Sequence, residues 1–184
     1  MSVVLGFATS KFGIVASDGR FICSNGKIID ENFDKTIKFN DNVIAGFAGY
    51  SKPCIQMIIE LQNLYPLTDM CLEQILETIS CRLPQIVDNK SATFLLIGKN
   101  MHGKIQLSGI GTRTNYIPIN KVPTSNSQDY ISIAPPGIDV DSIFINTLLE
   151  FQPDIQKGID HTILRVSQLS DYVNNTRFQK DFFL

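Results

Sequence analysis

Few residues in this chain have the types and spacing that chemistry demands, and the usual constellations are missing. The only two histidines, His102 and His161, lie far apart with no cysteine or paired carboxylate nearby, so a zinc site is not expected. Cys23, Cys54, Cys71 and Cys81 form no CxxC pair and no clustered framework, and are read as reduced thiols, which favours a cytoplasmic setting. What remains is a hydroxyl at the very start, Ser2; an Asp18-Gly19 pair closing an apolar stretch; a lysine, Lys35; and the small-residue run Ile44-Ala45-Gly46-Phe47-Ala48-Gly49. Taken one at a time these are a chain end, a turn, a surface lysine and a buried strand.

The elements that would have to position them are legible from periodicity. Residues 2–8 and 13–17 are apolar and β-branched around Thr9-Ser10-Lys11, which predicts a hairpin ending at Asp18-Gly19. Short strands are expected at 21–23, 27–29, 36–39 and 43–47, divided by Ser24-Asn25-Gly26, Asp30-Glu31-Asn32 and Asn40-Asp41. The period then changes to 3.6. One helix follows Ser51, with Pro53 in its first turn; a second starts near Thr68 or Asp69 and stops around Pro84. Strands return at 92–97, 104–108 and 130–134, followed by helices over 139–151 and 160–173, while 113–128 reads as a long polar connection.

Strands, two helices, strands and two more helices predict an α+β fold: two stacked antiparallel sheets, each covered by a helix pair, in a four-layer αββα sandwich formed by one domain over residues 1–184. A chain of this length buries roughly 70% of its unfolded surface without staples. The 16 basic and 18 acidic residues give a net charge of −2 with no long run of one sign, and no stretch approaches a membrane span. Neither nucleic acid nor a membrane is an expected partner.

Taken together, SVVLGF at the start, ASDGR, NFDKTIK and above all NDNVIAGFAGYS resemble the proteasome β subunits and the related HslV peptidases, members of the N-terminal-nucleophile hydrolases. The likeness is densest over residues 2–51. SIAPPG stands where that family has a glycine- and serine-bearing loop. The resemblance implies a threonine-peptidase-like mechanism in which the first residue is attacker and base at once. Here that residue would be Ser2, exposed by removal of Met1.

On the same resemblance, Asp18 and Lys35 form the buried pair beside the nucleophile, with Lys27 and Lys38 as the competing lysines, because matching Lys35 requires one inserted residue. Gly49 would offer its backbone N–H to the oxyanion, and Phe21, Ile37, Phe47 and Ser51 would line the substrate pocket. No cofactor is implied. Expected partners are a peptide or unfolded protein substrate, further copies of the chain in a ring or stacked rings, and an ATPase unfoldase.

Three departures from the family pattern stand out. Serine replaces threonine, Pro135-Pro136 replaces the loop serine, and Gln168 falls where an aspartate is expected, with Ser167, Ser170 and Asp171 close by. Two other readings therefore stay open: a non-catalytic proteasome-like subunit, and an amidase of the same class acting on a small molecule.

Overall fold

β1 (Val4–Thr9) shows why this sequence stacks layers. Its odd-numbered residues Leu5 and Phe7, with the preceding Val3, belong to one buried cluster, and its even-numbered Val4 and Ala8 to another. A strand buried on both faces loses the polar alternation of an ordinary antiparallel strand and reads as a continuous apolar run. The same division recurs in β6 (Val43–Gly49) and β7 (Ala92–Lys99). Phe47 and Phe94 face one way, and Ile44, Leu95 and Ile97 the other.

The computed structural model describes residues 2–23, 27–64 and 71–184. Met1, the turn expected at Ser24-Asn25-Gly26 and the helix start expected at Thr68 or Asp69 lie outside them. A hairpin joins β1 to β2 (Phe12–Asp18), and this pair is flanked by β10 (Gln128–Ile133) and β11 (Arg177–Phe183) in a four-stranded antiparallel sheet, in the order β10-β1-β2-β11. The second sheet runs β5 (Thr36–Asn40), β6, β7, β8 (Ile105–Gly111), β9 (Ile119–Lys121), and a small ribbon pairs β3 (Phe21–Ile22) with β4 (Ile28–Asp30).

Helices α1 (Ser51–Leu64) and α2 (Leu72–Ile86) cover the second sheet through Met57, Leu61, Ile75 and Ile79; α3 (Val140–Glu150) and α4 (Ile155–Leu169) cover the first through Phe144, Ile159 and Ile163. A third cluster, including Val4, Val15, Leu95 and Leu107, fills the space between the sheets. The αββα sandwich is as expected. Leu95 is fully buried in that middle layer, so Leu95→Ala is expected to lower unfolding free energy by about 2–5 kcal/mol in denaturant titration.

Several boundaries differ from expectation for local reasons. Pro84 removes one helical hydrogen bond without ending α2, since the Val87 N–H still reaches the Leu83 carbonyl at 3.2 Å. Asp154 caps α4 by accepting from the Lys157 N–H at 3.0 Å, which starts the helix at Ile155, five residues earlier than the apolar period suggested. The connection at 113–128 is not simply polar loop. It holds most of a short 3-10 turn, Thr112–Thr114, and β9, whose residues pair with β8.

Candidate active site

The β1–β2 hairpin brings the start of the chain over the end of β2. Val4 stands opposite Ser17; one step further the Val3 N–H donates to Asp18 Oδ1 at 3.1 Å, and the Asp18 N–H donates back to the Val3 carbonyl at 3.3 Å. Ser2, buried at 7% exposure, is thereby placed beside Asp18. Lys35 arrives from the other sheet. Its carbonyl accepts from the Phe47 N–H at 3.0 Å, which anchors it to β6, and its ammonium donates to the Asp18 carbonyl at 2.9 Å and to Oδ1 at 3.0 Å.

This ion pair is sealed from water, with side-chain exposures of 4% for Lys35 and 0% for Asp18. Burial pushes the Asp18 carboxyl above the ordinary 3.8, opposed by the charge and hydrogen bond of Lys35 and by the N–H groups of Arg20 and Val3. Burial likewise lowers Lys35 below the ordinary 10.5, opposed by the Asp18 charge. An ammonium has three protons, and Asp18 takes two; among the described residues the third has no protein acceptor. Of the competing lysines, Lys38 pairs at the surface with Asp41 at 2.6 Å, and Lys27 is exposed.

Two cavities of about 20 Å³ flank Ser2. Lys35, Phe33, Phe47 and Ser51 line one; Arg113, Ala134, Ser91 and Thr93 line the other; Gly49 borders both. Gly49 ends β6 with φ +111°, a left-handed conformation, and a Cβ there would strike the Ser91 carbonyl oxygen. Only glycine fits this corner without strain. Gly49 also opens onto a larger cleft of about 490 Å³, shared with Phe21 and Ser51.

The aromatic residues do more than line. Phe21 stacks on Phe33 with ring centroids 4.9 Å apart, and Phe33 meets Phe47 edge-on at 6.4 Å, so the three rings form a packed wall of the small cavity beside Ser2. Ile37 borders none of these cavities. It stands opposite Ala45 and packs against the core under α1 and α2, so the ring of Phe33 holds the place by the pocket expected for Ile37.

Four contributors escaped the sequence reading: Phe33, Arg113, Arg20 and Asn174. Asn174 accepts from the Gly19 N–H at 2.9 Å and donates to the Glu31 carbonyl at 2.7 Å, so it pins the turn that carries Asp18. Arg20 bonds Glu31 at 3.1 Å and the Asp171 carbonyl at 2.6 Å. Arg113 donates to the Ala134 carbonyl at 2.7 Å, closing the loop around Pro135 and Pro136. Pairing Asn174 with Gly19 spans 155 positions, and no local pattern announces it.

Gln168 is exposed on α4, Ser167 bonds the Leu164 carbonyl, and Asp171 contributes its backbone to Arg20. None of the three borders a cavity beside Ser2. Chemically, the site offers a hydroxyl, a fixed ammonium held by a buried carboxylate, and a glycine corner that lets a substrate backbone approach closely.

No protein-family model and no curated protein sequence matches the chain. Among solved structures it is similar to the eukaryotic HslV from Trypanosoma brucei, with a TM-score of 0.70 over 99% of each chain at 13% sequence identity. Full-length agreement at that similarity, together with the αββα layers and their strand order, identifies the fold of this chain as that of the HslV-like N-terminal-nucleophile hydrolases.

Proposed function

We propose that the chain is an N-terminal-nucleophile hydrolase that cuts peptide bonds, using Ser2 once Met1 has been removed. The observation that carries this reading is the buried Asp18–Lys35 pair, whose lysine borders a cavity together with Ser2 and Gly49. In the first half of the reaction the Ser2 Oγ bonds to the scissile carbonyl carbon and its proton passes to the free α-amine, whose ordinary pKa is about 8. Lys35 stabilises the developing alkoxide, and the Gly49 N–H receives the carbonyl oxygen as it becomes negative. The amine product leaves with that proton, and water then hydrolyses the Ser2 ester by the same route. The protein works in the cytoplasm as a ring that confines its site, with an ATPase unfoldase feeding it.

The competing reading, a non-catalytic subunit, draws on Pro135 and Pro136, which have no N–H to offer, and on Gln168, which is exposed and borders neither cavity beside Ser2. Intact-mass measurement before and after treatment with a peptide β-lactone separates the two. The catalytic reading expects a chain lacking Met1 and one adduct, mapped to Ser2. A fully retained methionine with no adduct sinks it.

Because three aromatic rings wall a cavity of only about 20 Å³ beside Ser2, the residue before the cut bond is expected to be glycine, alanine or serine. A volume of about 20 Å³ holds roughly one water molecule and no large side chain. Phe33, only partly buried, can be shortened without emptying the core. In the Phe33→Ala variant kcat/KM for a fluorogenic substrate with leucine before the cut is expected to rise about tenfold or more relative to alanine. An unchanged ratio would show that these rings do not set the preference.

A further inference from the structure

The cleft of about 490 Å³ beyond Gly49 carries charge of one sign. Its walls include Phe21, Tyr50 and Tyr172, and its polar reach comes from Lys52 and Lys90; among the described residues no carboxylate borders it. Both lysines are exposed, and neither forms an ion pair among the described residues. Lys90 sits over the Tyr50 ring, its nitrogen 5.3 Å from the centroid, which fixes its charge against the cleft wall.

Lys52 occupies the first turn of α1, a turn with no acidic residue. A cation at that end of a helix opposes the helix dipole, so this lysine is not there to stabilise α1. Instead its charge and the positive helix end point the same way in field terms, and Arg113 adds a third uncompensated cation at the neighbouring cavity. All this stands in a chain whose net charge is −2.

We infer that this cleft selects acidic peptides: the segment adjoining the cut bond is held between aromatic walls while its aspartate or glutamate side chains meet Lys52 and Lys90. The inference deepens the hydrolase reading by naming a substrate class, yet it stands on binding alone and can be tested without turnover.

The target is the full-length Ser2→Ala protein, which keeps the cleft and cannot cut. Fluorescence anisotropy compares two octapeptides of glycine and alanine, each with a dye of zero net charge, one bearing three glutamates and the other three lysines at the same positions. The acidic peptide is expected to bind about tenfold more tightly, with the advantage shrinking as salt is raised, because exposed charges are screened beyond about 10 Å at 0.1 M. The Lys52→Glu/Lys90→Glu double variant, whose changes are both at the surface, is expected to invert the preference without lowering the thermal midpoint. Equal binding of both peptides, binding of neither, or a preference that survives charge reversal overturns the inference. Failure of the hydrolase reading would appear elsewhere, as a native protein that turns over no peptide and takes no β-lactone.

Discussion

Ser2→Ala is expected to remove peptide hydrolysis altogether, lowering kcat by about 10⁴-fold or more while leaving the unfolding transition where it was. The hydroxyl is the group that the proposed reaction bonds to the carbonyl carbon, and it makes no hydrogen bond among the described residues that the fold would miss. Exchanging it for hydrogen therefore alters chemistry and little else. Ser2→Thr, which keeps the hydroxyl and adds a methyl that restricts χ1, is expected to retain turnover. Measuring both variants with one fluorogenic peptide, alongside circular dichroism melts, separates loss of a nucleophile from loss of structure. Full activity in the alanine variant would transfer the role to another residue.

Lys35→Met gives the second large effect, and it strikes stability and activity together. Removing the ammonium leaves Asp18 as an uncompensated charge in a fully buried place, expected to cost about 3–5 kcal/mol. Turnover is expected to fall by about a hundredfold to a thousandfold, since the developing alkoxide loses its fixed cation. The stability loss has a pH signature. Without its partner the folded-state pKa of Asp18 rises further above the unfolded value, so the variant regains stability as pH falls through that raised pKa toward 3.8, where the carboxyl becomes neutral.

The Asp18→Asn/Lys35→Met double variant tests the separation, because it removes both charges from the interior. Most of the stability should return, and activity should not. A double variant with restored turnover would deny the lysine its role. In the native protein, burial holds Lys35 below 10.5, so the alkaline fall in kcat is expected to begin before an ordinary lysine would titrate. Lys35→Arg, if it retains measurable turnover, should carry that fall to higher pH, because a guanidinium keeps its proton throughout the range.

The layers were legible from sequence because they follow from local pattern. β1, β6 and β7 are apolar on both faces, and α1 to α4 carry long 3.6-residue repeats. β11 was not legible: its sequence, RFQKDFF, mixes charge with aromatics, and its identity as a strand comes from pairing along β2 rather than from its own composition. β9 is three residues long and mostly exposed, so it too depends on its partner.

At the site, Asp18 and Lys35 stood out only through their company in sequence, whereas their contact is a fact of two sheets meeting. Phe33 sits just before β5 in a segment whose register no short-range rule supplies, and it falls four residues before Ile37, the hydrophobe expected at the pocket. Arg113 and Asn174 are polar residues in connections, a background from which a bonding partner cannot be picked without coordinates.

The hydrogen bond from Gly19 to Asn174, and the zipping of β2 against β11, set a timetable for the newborn chain. Asp18 and Lys35 are made long before Asn174 and β11, so the turn that steadies the acid–lysine couple stays unpinned until residues 174–183 have followed. A polypeptide that stops short of Asn174 therefore holds Ser2, Asp18 and Lys35 in an unfinished setting.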